Sequence, residues 1–151
     1  MRRVSGTVSI AASPAEVYAF LSDPTNVPRW QTGVVSSERT SPPPTVAGST
    51  GRVVLEVMGQ RVTANTTVLE AVPDRRLALT TSVSGMSVLG SLDLEAIADG
   101  TKLTFISEVK AESIFMAPLE RMVTDGIEKD MEASLTRLKG ALAADLHGAG
   151  A

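Results

Sequence analysis

The chain has 151 residues, 43% of them hydrophobic and 21% charged, which suits one globular domain with a substantial core. Its formal charge of −3, with Arg2-Arg3 and Arg75-Arg76 as isolated pairs, excludes the clustered Lys and Arg that a nucleic-acid surface requires. Cysteine is absent and the single histidine, His147, lies in a small-residue tail, so disulfides, thiolate chemistry, a Ser-His-Asp triad and a Cys- or His-based metal site have almost no material.

Met1-Arg2-Arg3 is positive, but Ser5, Thr7 and Ser9 interrupt any apolar run, so no signal-peptide core follows. Val4, Gly6, Val8 and Ile10 alternate with polar residues instead and predict a strand over Arg3 to Ala12. No window reaches the length of a membrane span, and the expected location is cytoplasmic. Ser13-Pro14-Ala15-Glu16 is a helix start: Ser13 caps, Pro14 suits the first helical position, and Glu16 completes a capping box. Val17, Phe20 and Leu21 share one face of that helix. Asp23-Pro24 repeats the cap-plus-proline signal and predicts a second short helix ending near Trp30. Thr32 to Arg39 can form a strand, and Ser41-Pro42-Pro43-Pro44 through Gly48-Ser49 is a loop, because proline donates no ladder hydrogen bond.

From Gly51 to Glu112 the pattern is an antiparallel meander. A turn at Gly59-Gln60 pairs Val57 with Val62, Leu55 with Ala64 and Met58 with Arg61. A turn at Ser84-Gly85 pairs Val83 with Met86, Thr81 with Val88, Leu79 with Gly90 and Leu77 with Leu92. A turn at Asp99-Gly100 pairs Leu94 with Phe105, Leu92 with Ser107 and Gly90 with Val109. The last two hairpins share a strand, and both put Gly90, Leu92 and Leu94 on one apolar face; a one-residue slip in either would reverse it. Pro73-Asp74 marks the remaining turn. The period then becomes helical. Leu119, Met122, Val123, Ile127, Met131, Leu135, Leu138 and Leu142 line one side of an amphipathic helix over Ala117 to Asp145, which Asp125-Gly126 could bend or break.

The expected fold is α+β: a curved antiparallel sheet of about seven strands around a long C-terminal helix, with two short helices after the first strand. One domain covers residues 1–146, followed by a flexible tail at 147–151. A sheet curved around one helix leaves space at its ends. The inward face is aliphatic (Leu55, Val57, Leu79, Val88, Leu92, Leu94) with isolated hydroxyls at Thr66, Thr81 and Ser107, a composition that suits a small-molecule pocket. The same residues serve equally as plain core, where aliphatic side chains usually go.

Ile10 to Pro24, then Asn26-Val27-Pro28-Arg29-Trp30, resembles the opening of the polyketide cyclase/dehydrase and lipid-transport superfamily, also called START-like, which includes the birch-pollen-allergen proteins. Val68 to Leu77 resembles its mid-sheet turn, and Ser134 to Lys139 the end of its final helix. The resemblance spans nearly the whole chain. It implies a helix-grip fold with an elongated hydrophobic cavity for lipids, sterols, hormones or polyketides, and in some members cyclisation and dehydration of polyketide chains. Such cyclases usually place an arginine and aromatic hydroxyls in the pocket. Here Arg52 and Arg61 fall on the outward face, and the one tyrosine, Tyr18, lies on the first helix.

The candidate ligand-lining set is Trp30, Leu55, Val57, Thr66, Leu79, Thr81, Val88, Leu92, Phe105, Ser107, Leu119, Met122 and Val123. Trp30 matches a common family tryptophan; it closes a pocket entrance, or packs the short helices onto the sheet. Met116, Met122 and Met131 adapt to ligands, or fill gaps under the helix. Asp93 and Glu108 lie near each other as an outward, solvated carboxylate pair, and Glu70 is a general base or a rim partner of Arg75 or Arg76. No catalytic residue, metal or cofactor is assigned. Three functions compete: carriage of a small hydrophobic molecule, a polyketide cyclase/dehydratase, and a non-enzymatic partner or homodimer using outward Val54, Leu89 and Ile106.

Overall fold

The computed structural model describes residues 2–57, 59–83 and 85–148. Strand β1 (Arg2–Ile10) leads into α1 (Pro14–Leu21), whose capping box forms as the sequence dictates: the Ser13 hydroxyl accepts from the Glu16 N–H, and the Glu16 carboxylate accepts from the Ser13 N–H. A 3-10 turn (Pro24–Asn26), capped by Asp23, passes into the short α2 (Val27–Trp30). Then come β2 (Val34–Arg39), β3 (Thr50–Val57), β4 (Gln60–Val72), β5 (Arg76–Val83), β6 (Met86–Ile97) and β7 (Gly100–Ala111). A second 3-10 turn (Ile114–Met116) opens α3 (Ala117–Gly148), a helix of 32 residues.

All seven strands form one antiparallel sheet in the order β1-β7-β6-β5-β4-β3-β2. The meander is unbroken, and β1 closes beside β7. Register shifts at Val68/Glu70 in β4 and at Val34/Ser36 in β2 are bulges, which bend and twist their strands and help the sheet curl.

The β5–β6 register is the expected one, with Leu77 opposite Leu92 and Val83 opposite Met86; the turn residue Ser84 lies outside the described residues. Two registers differ. Strand β3 meets β4 with Val57 opposite Gln60 and Leu55 opposite Val62, so Arg61 faces Glu56; the expected partner Met58 lies outside the described residues. Gly59 has φ of 76°, the left-handed conformation that a tight turn demands and glycine adopts freely. Strand β6 meets β7 with Leu94 opposite Leu103, Leu92 opposite Phe105 and Gly90 opposite Ser107, around a turn at Ala98-Asp99. Gly100 is not the turn glycine. It starts β7, at φ of 151°, where a Cβ would collide with the Ile10 carbonyl. Each correction is two residues, so every side chain stays on its expected face. The Asp93–Glu108 juxtaposition does not survive it: Asp93 lies opposite Thr104 and Glu108 opposite Leu89. β1 stops at Ile10 and β2 starts at Val34, each shorter than the alternation suggested.

Asp125-Gly126 does not break α3. The helix also runs past Asp145 to Gly148, so the expected tail starts inside it; the His147 side chain and residues 149–151 lie outside the described residues. The buried apolar residues of α3 lie in its later turns: Met131, Leu135, Leu138 and Leu142. They join Val17, Phe20, Leu21, Trp30, Leu77, Leu92, Leu103 and Phe105 in one core at the end of the sheet capped by α1. There the fully buried Thr101 hydroxyl donates to the Ala12 carbonyl at 2.7 Å, which fixes the β1–α1 corner to β7.

Candidate functional site

The short helices are pinned to α3. Arg29 makes a bidentate pair with Asp145 at 2.9 and 2.6 Å and lies over the Phe20 ring. This pairing lowers the Asp145 pKa below the usual carboxylate range. Arg137 donates to the Pro28 carbonyl, and the Thr32 N–H donates to the Ser134 hydroxyl. The main sheet contacts of α3 are with β1 and β7, those of α2 with β2, and α1 rests on β5, β6 and β7. The three helical pieces therefore cover the flanks and one end of the concave face.

The cross-strand rows record the consequence. Nearest α1, the row Leu77, Leu92, Phe105 is buried throughout, and Trp30 meets Phe105 edge to face at 5.5 Å. One row further, Val68, Leu79 and Gly90 are half-buried, although Ser107 and Val4, in the same row under α3, are buried. The next row runs Arg39, Gly51, Thr66, Thr81, Val88 and Val109. Thr66, Thr81 and Val88 in its middle are half-buried, whereas Val109 has no exposed surface. In the row beyond, Val53, Ala64 and Met86 are buried beside the half-buried Val83, and past it Leu55, Val57 and Val62 are half-buried. Central strands of a seven-stranded sheet should be its best-covered part. In the Leu79 and Thr81 rows they are covered less than Ser107 and Val109 of β7, because α3 lies over β1 and β7 and the short helices over β2 and one end rather than across the middle. The result is a strip with aliphatic walls and two hydroxyls that water can reach.

The expected lining residues divide accordingly. Trp30, Leu92, Phe105 and Ser107 form closed core at one end of the strip. Leu55, Val57, Thr66, Leu79, Thr81 and Val88 face the strip itself. Leu119 and Val123 are half-buried and Met122 is exposed on the early turns of α3, at the end away from α1. Beside them, Ile114 and Phe115 are 83% and 91% exposed. Two shallow surface depressions lie elsewhere, one between β1 and α3 and one beside Pro14 and Arg75.

Outside the strip, Arg52 pairs with Glu38 at 2.9 Å and Arg61 is exposed, both on the outer face as expected. Glu70 is a rim partner: Arg76 binds it at 2.7 Å and holds both oxygens of Asp93 at 2.8 Å. Outward Val54, Leu89 and Ile106 do not form one patch, since β4 and β5 separate Val54 from the others.

Two polar groups lie beside the expected lining set. Arg39 ends β2 on the concave side, opposite Gly51 in the Thr66–Thr81 row. Its guanidinium donates to the Thr45 hydroxyl at 2.8 Å and to the Ser22 carbonyl at 3.4 Å. No tight turn joins β2 to β3, so the sequence carried no register for it; only the strand alternation of Ser37 and Arg39 hinted at the face. The Tyr18 hydroxyl is buried without a hydrogen-bond partner, and burial, then the nearby Asp74 charge, raise its pKa.

A family model described as polyketide cyclase/dehydrase and lipid transport matches residues 1–143. The chain belongs to this family. Its solved relatives share the fold at low identity. A protein from Thermus thermophilus is 20% identical, with a TM-score of 0.78 over 95% of this chain and 99% of that one. The Zhui aromatase/cyclase from a Streptomyces species is 18% identical, with a TM-score of 0.77 over 99% and 98%. A START superfamily protein from Mycobacterium smegmatis is 19% identical, with a TM-score of 0.75 over 93% and 97%. No curated protein matches the chain significantly. The helix-grip architecture of this cyclase and lipid-transport family is thus the one seen here. Among the described residues no helix is long and apolar enough to cross a membrane.

Proposed function

We propose that this protein binds and carries a small hydrophobic molecule, lipid or polyketide-like, along the strip over its central strands. The supporting observation is the burial gradient: Leu79, Thr81 and Val88 stay half-buried at the middle of the sheet, while Leu77, Leu92 and Val109 beside them are closed off. An apolar guest would complete that cover, with Leu55, Val57, Leu79 and Val88 as walls and Thr66 and Thr81 as polar anchors. Leu119, Met122 and Val123 would form the adaptable far side, near the exposed Ile114 and Phe115, and Trp30, Leu92, Phe105 and Ser107 the floor. The reading places this carrier in the cytoplasm, in keeping with a chain that lacks cysteine. The test is mass analysis of small molecules extracted from the purified protein, followed by thermal unfolding with the compounds found. A saturating guest at 100 times its Kd would stabilise by about 2.7 kcal/mol. An empty extract, with no stabilisation by any fatty acid or aromatic polyketide, refutes it.

A second reading, cyclisation or dehydration of the bound molecule, is favoured by Arg39. Arg39 shares a cross-strand row with Thr66 and Thr81, and its guanidinium, held at the rim by Thr45 and Ser22, could stabilise enolate charge at that end while hydroxyls relay protons. Product analysis of a linear polyketide incubated with wild type and with Arg39→Met separates the two: a carrier returns the chain unchanged in both.

A further inference from the structure

The sheet has two edges, and they are built differently. β2 is six residues long, bulged, and carries Glu38 and Arg39 before a proline-rich loop, which are the usual devices against unwanted pairing. β1 is nine residues long and pairs with β7 without a register shift. From Val4 to Ile10 it has neither proline nor a charged residue. Along β1, alternate backbone N–H and C=O groups point away from β7, and among the described residues no other strand meets them.

A groove of about 330 Å³ follows that edge, between Ser5 to Val8 on one side and α3 on the other. Gly6 lets the helix close in: a Cβ there would stand 2.7 Å from Met131 Cγ and 2.9 Å from Leu135 Cδ1. The groove floor is therefore Met131 and Leu135, and its outer wall carries Glu128 and Glu132, both exposed. No Lys or Arg lines it. Among the described residues neither carboxylate has an ion-pair partner.

We propose that this groove is a docking site for an extended basic peptide segment, which adds to β1 as an eighth strand. Main-chain hydrogen bonds to the free edge would supply affinity, and the side chains alternating toward α3 would supply selection. A Lys or Arg stem fits over Leu135 while its charge reaches Glu128 or Glu132. The same carboxylates disfavour a second copy of this chain. Two β1 edges paired about a twofold axis would bring the Glu128 and Glu132 walls of both copies together, and like charges repel.

The test uses the full chain and a fluorescein-labelled, N-acetylated seven-residue peptide alternating Lys and Thr. Expected are saturable binding by anisotropy that weakens with salt, and slowed amide exchange at alternate residues of Ser5 to Ser9. Glu128→Lys combined with Glu132→Lys should weaken binding at least tenfold. Both positions are exposed, so this variant should stay folded, as circular dichroism would verify. A peptide N-methylated at every residue should fail to bind, because it has no backbone N–H left to donate to the ladder. Equal binding of a Glu-Thr peptide, full binding of the N-methylated peptide, or indifference to the charge reversal overturns the proposal. So does concentration-dependent dimerisation that protects β1 without peptide.

Discussion

Leu77 and Leu79 are two residues apart on one strand, point to the same side of the sheet, and should respond differently to the same substitution. Leu77 is 3% exposed, between Ala71 and Leu92 in its cross-strand row. Leu77→Ala removes buried atoms and leaves a hole among packed neighbours, which costs about 2–5 kcal/mol. Leu79 is half-buried beside Val68 and Gly90, and its side chain already borders water. Full burial of a leucine is worth roughly 1.5–3 kcal/mol, so half of it gives about 1 kcal/mol for Leu79→Ala, without a cavity penalty. The difference, about 2 kcal/mol, separates the urea midpoints by about 1 M at a slope of ~2 kcal/mol/M. Enlargement should reverse the contrast in function: Leu79→Trp should fold and exclude the apolar guest, whereas Leu77→Trp overpacks the core and costs at least ~1–3 kcal/mol. The assay is urea unfolding in guest-free protein, followed by native mass spectrometry. Equal midpoints for the two alanine variants would mean that the inner face is packed solid at Leu79, and the carrier reading would fail with it.

Tyr18 is the single tyrosine, so its ionisation can be followed directly by ultraviolet absorbance. Its folded pKa is raised, so the unfolded chain ionises first and stability should fall as pH climbs through and beyond the ordinary tyrosine range. Tyr18→Phe should abolish that fall and, by removing a buried hydroxyl without a partner, leave stability at neutral pH unchanged or raise it by up to ~1 kcal/mol. Asp145 has the opposite sign. Its folded pKa is lowered by Arg29, so its contribution is present at neutral pH and disappears as pH falls through the carboxylate range. Asp145→Asn should flatten that part of the acid limb in unfolding midpoints taken from about pH 7 to about pH 2. Gly100→Ala places a methyl group against the Ile10 carbonyl at an unfavourable φ and should cost at least ~3 kcal/mol in chemical unfolding, more than Gly126→Ala, which has open space on α3.

Much of this protein was legible in its residue order because the relevant rules are local. Ser13 to Glu16 dictated a capped helix start, and the helix formed there with both reciprocal bonds. Alternation fixed which side chains of β5, β6 and β7 share a face. Those faces survived two register errors because each error was an even number of residues. The turn at Gly100 was misplaced for a reason no local rule contains: the glycine answers to the Ile10 carbonyl, far back in the chain. The face of Arg39 was equally out of reach, since the long loop before β3 transmits no register.

The sequence alone determined the fold class, the inward aliphatic set and the amphipathic stripe of α3, all of which follow from periodicity and turn chemistry. Tertiary structure decided which part of that inward set is core and which part is left uncovered. The early turns of α3 bury little, while Met131 to Leu142 seal the end beside α1. Leu77 and Leu79 are the same residue type in the same pattern. What distinguishes them is whether a helix passes overhead, and that depends on how all three helical pieces sit on the curled sheet.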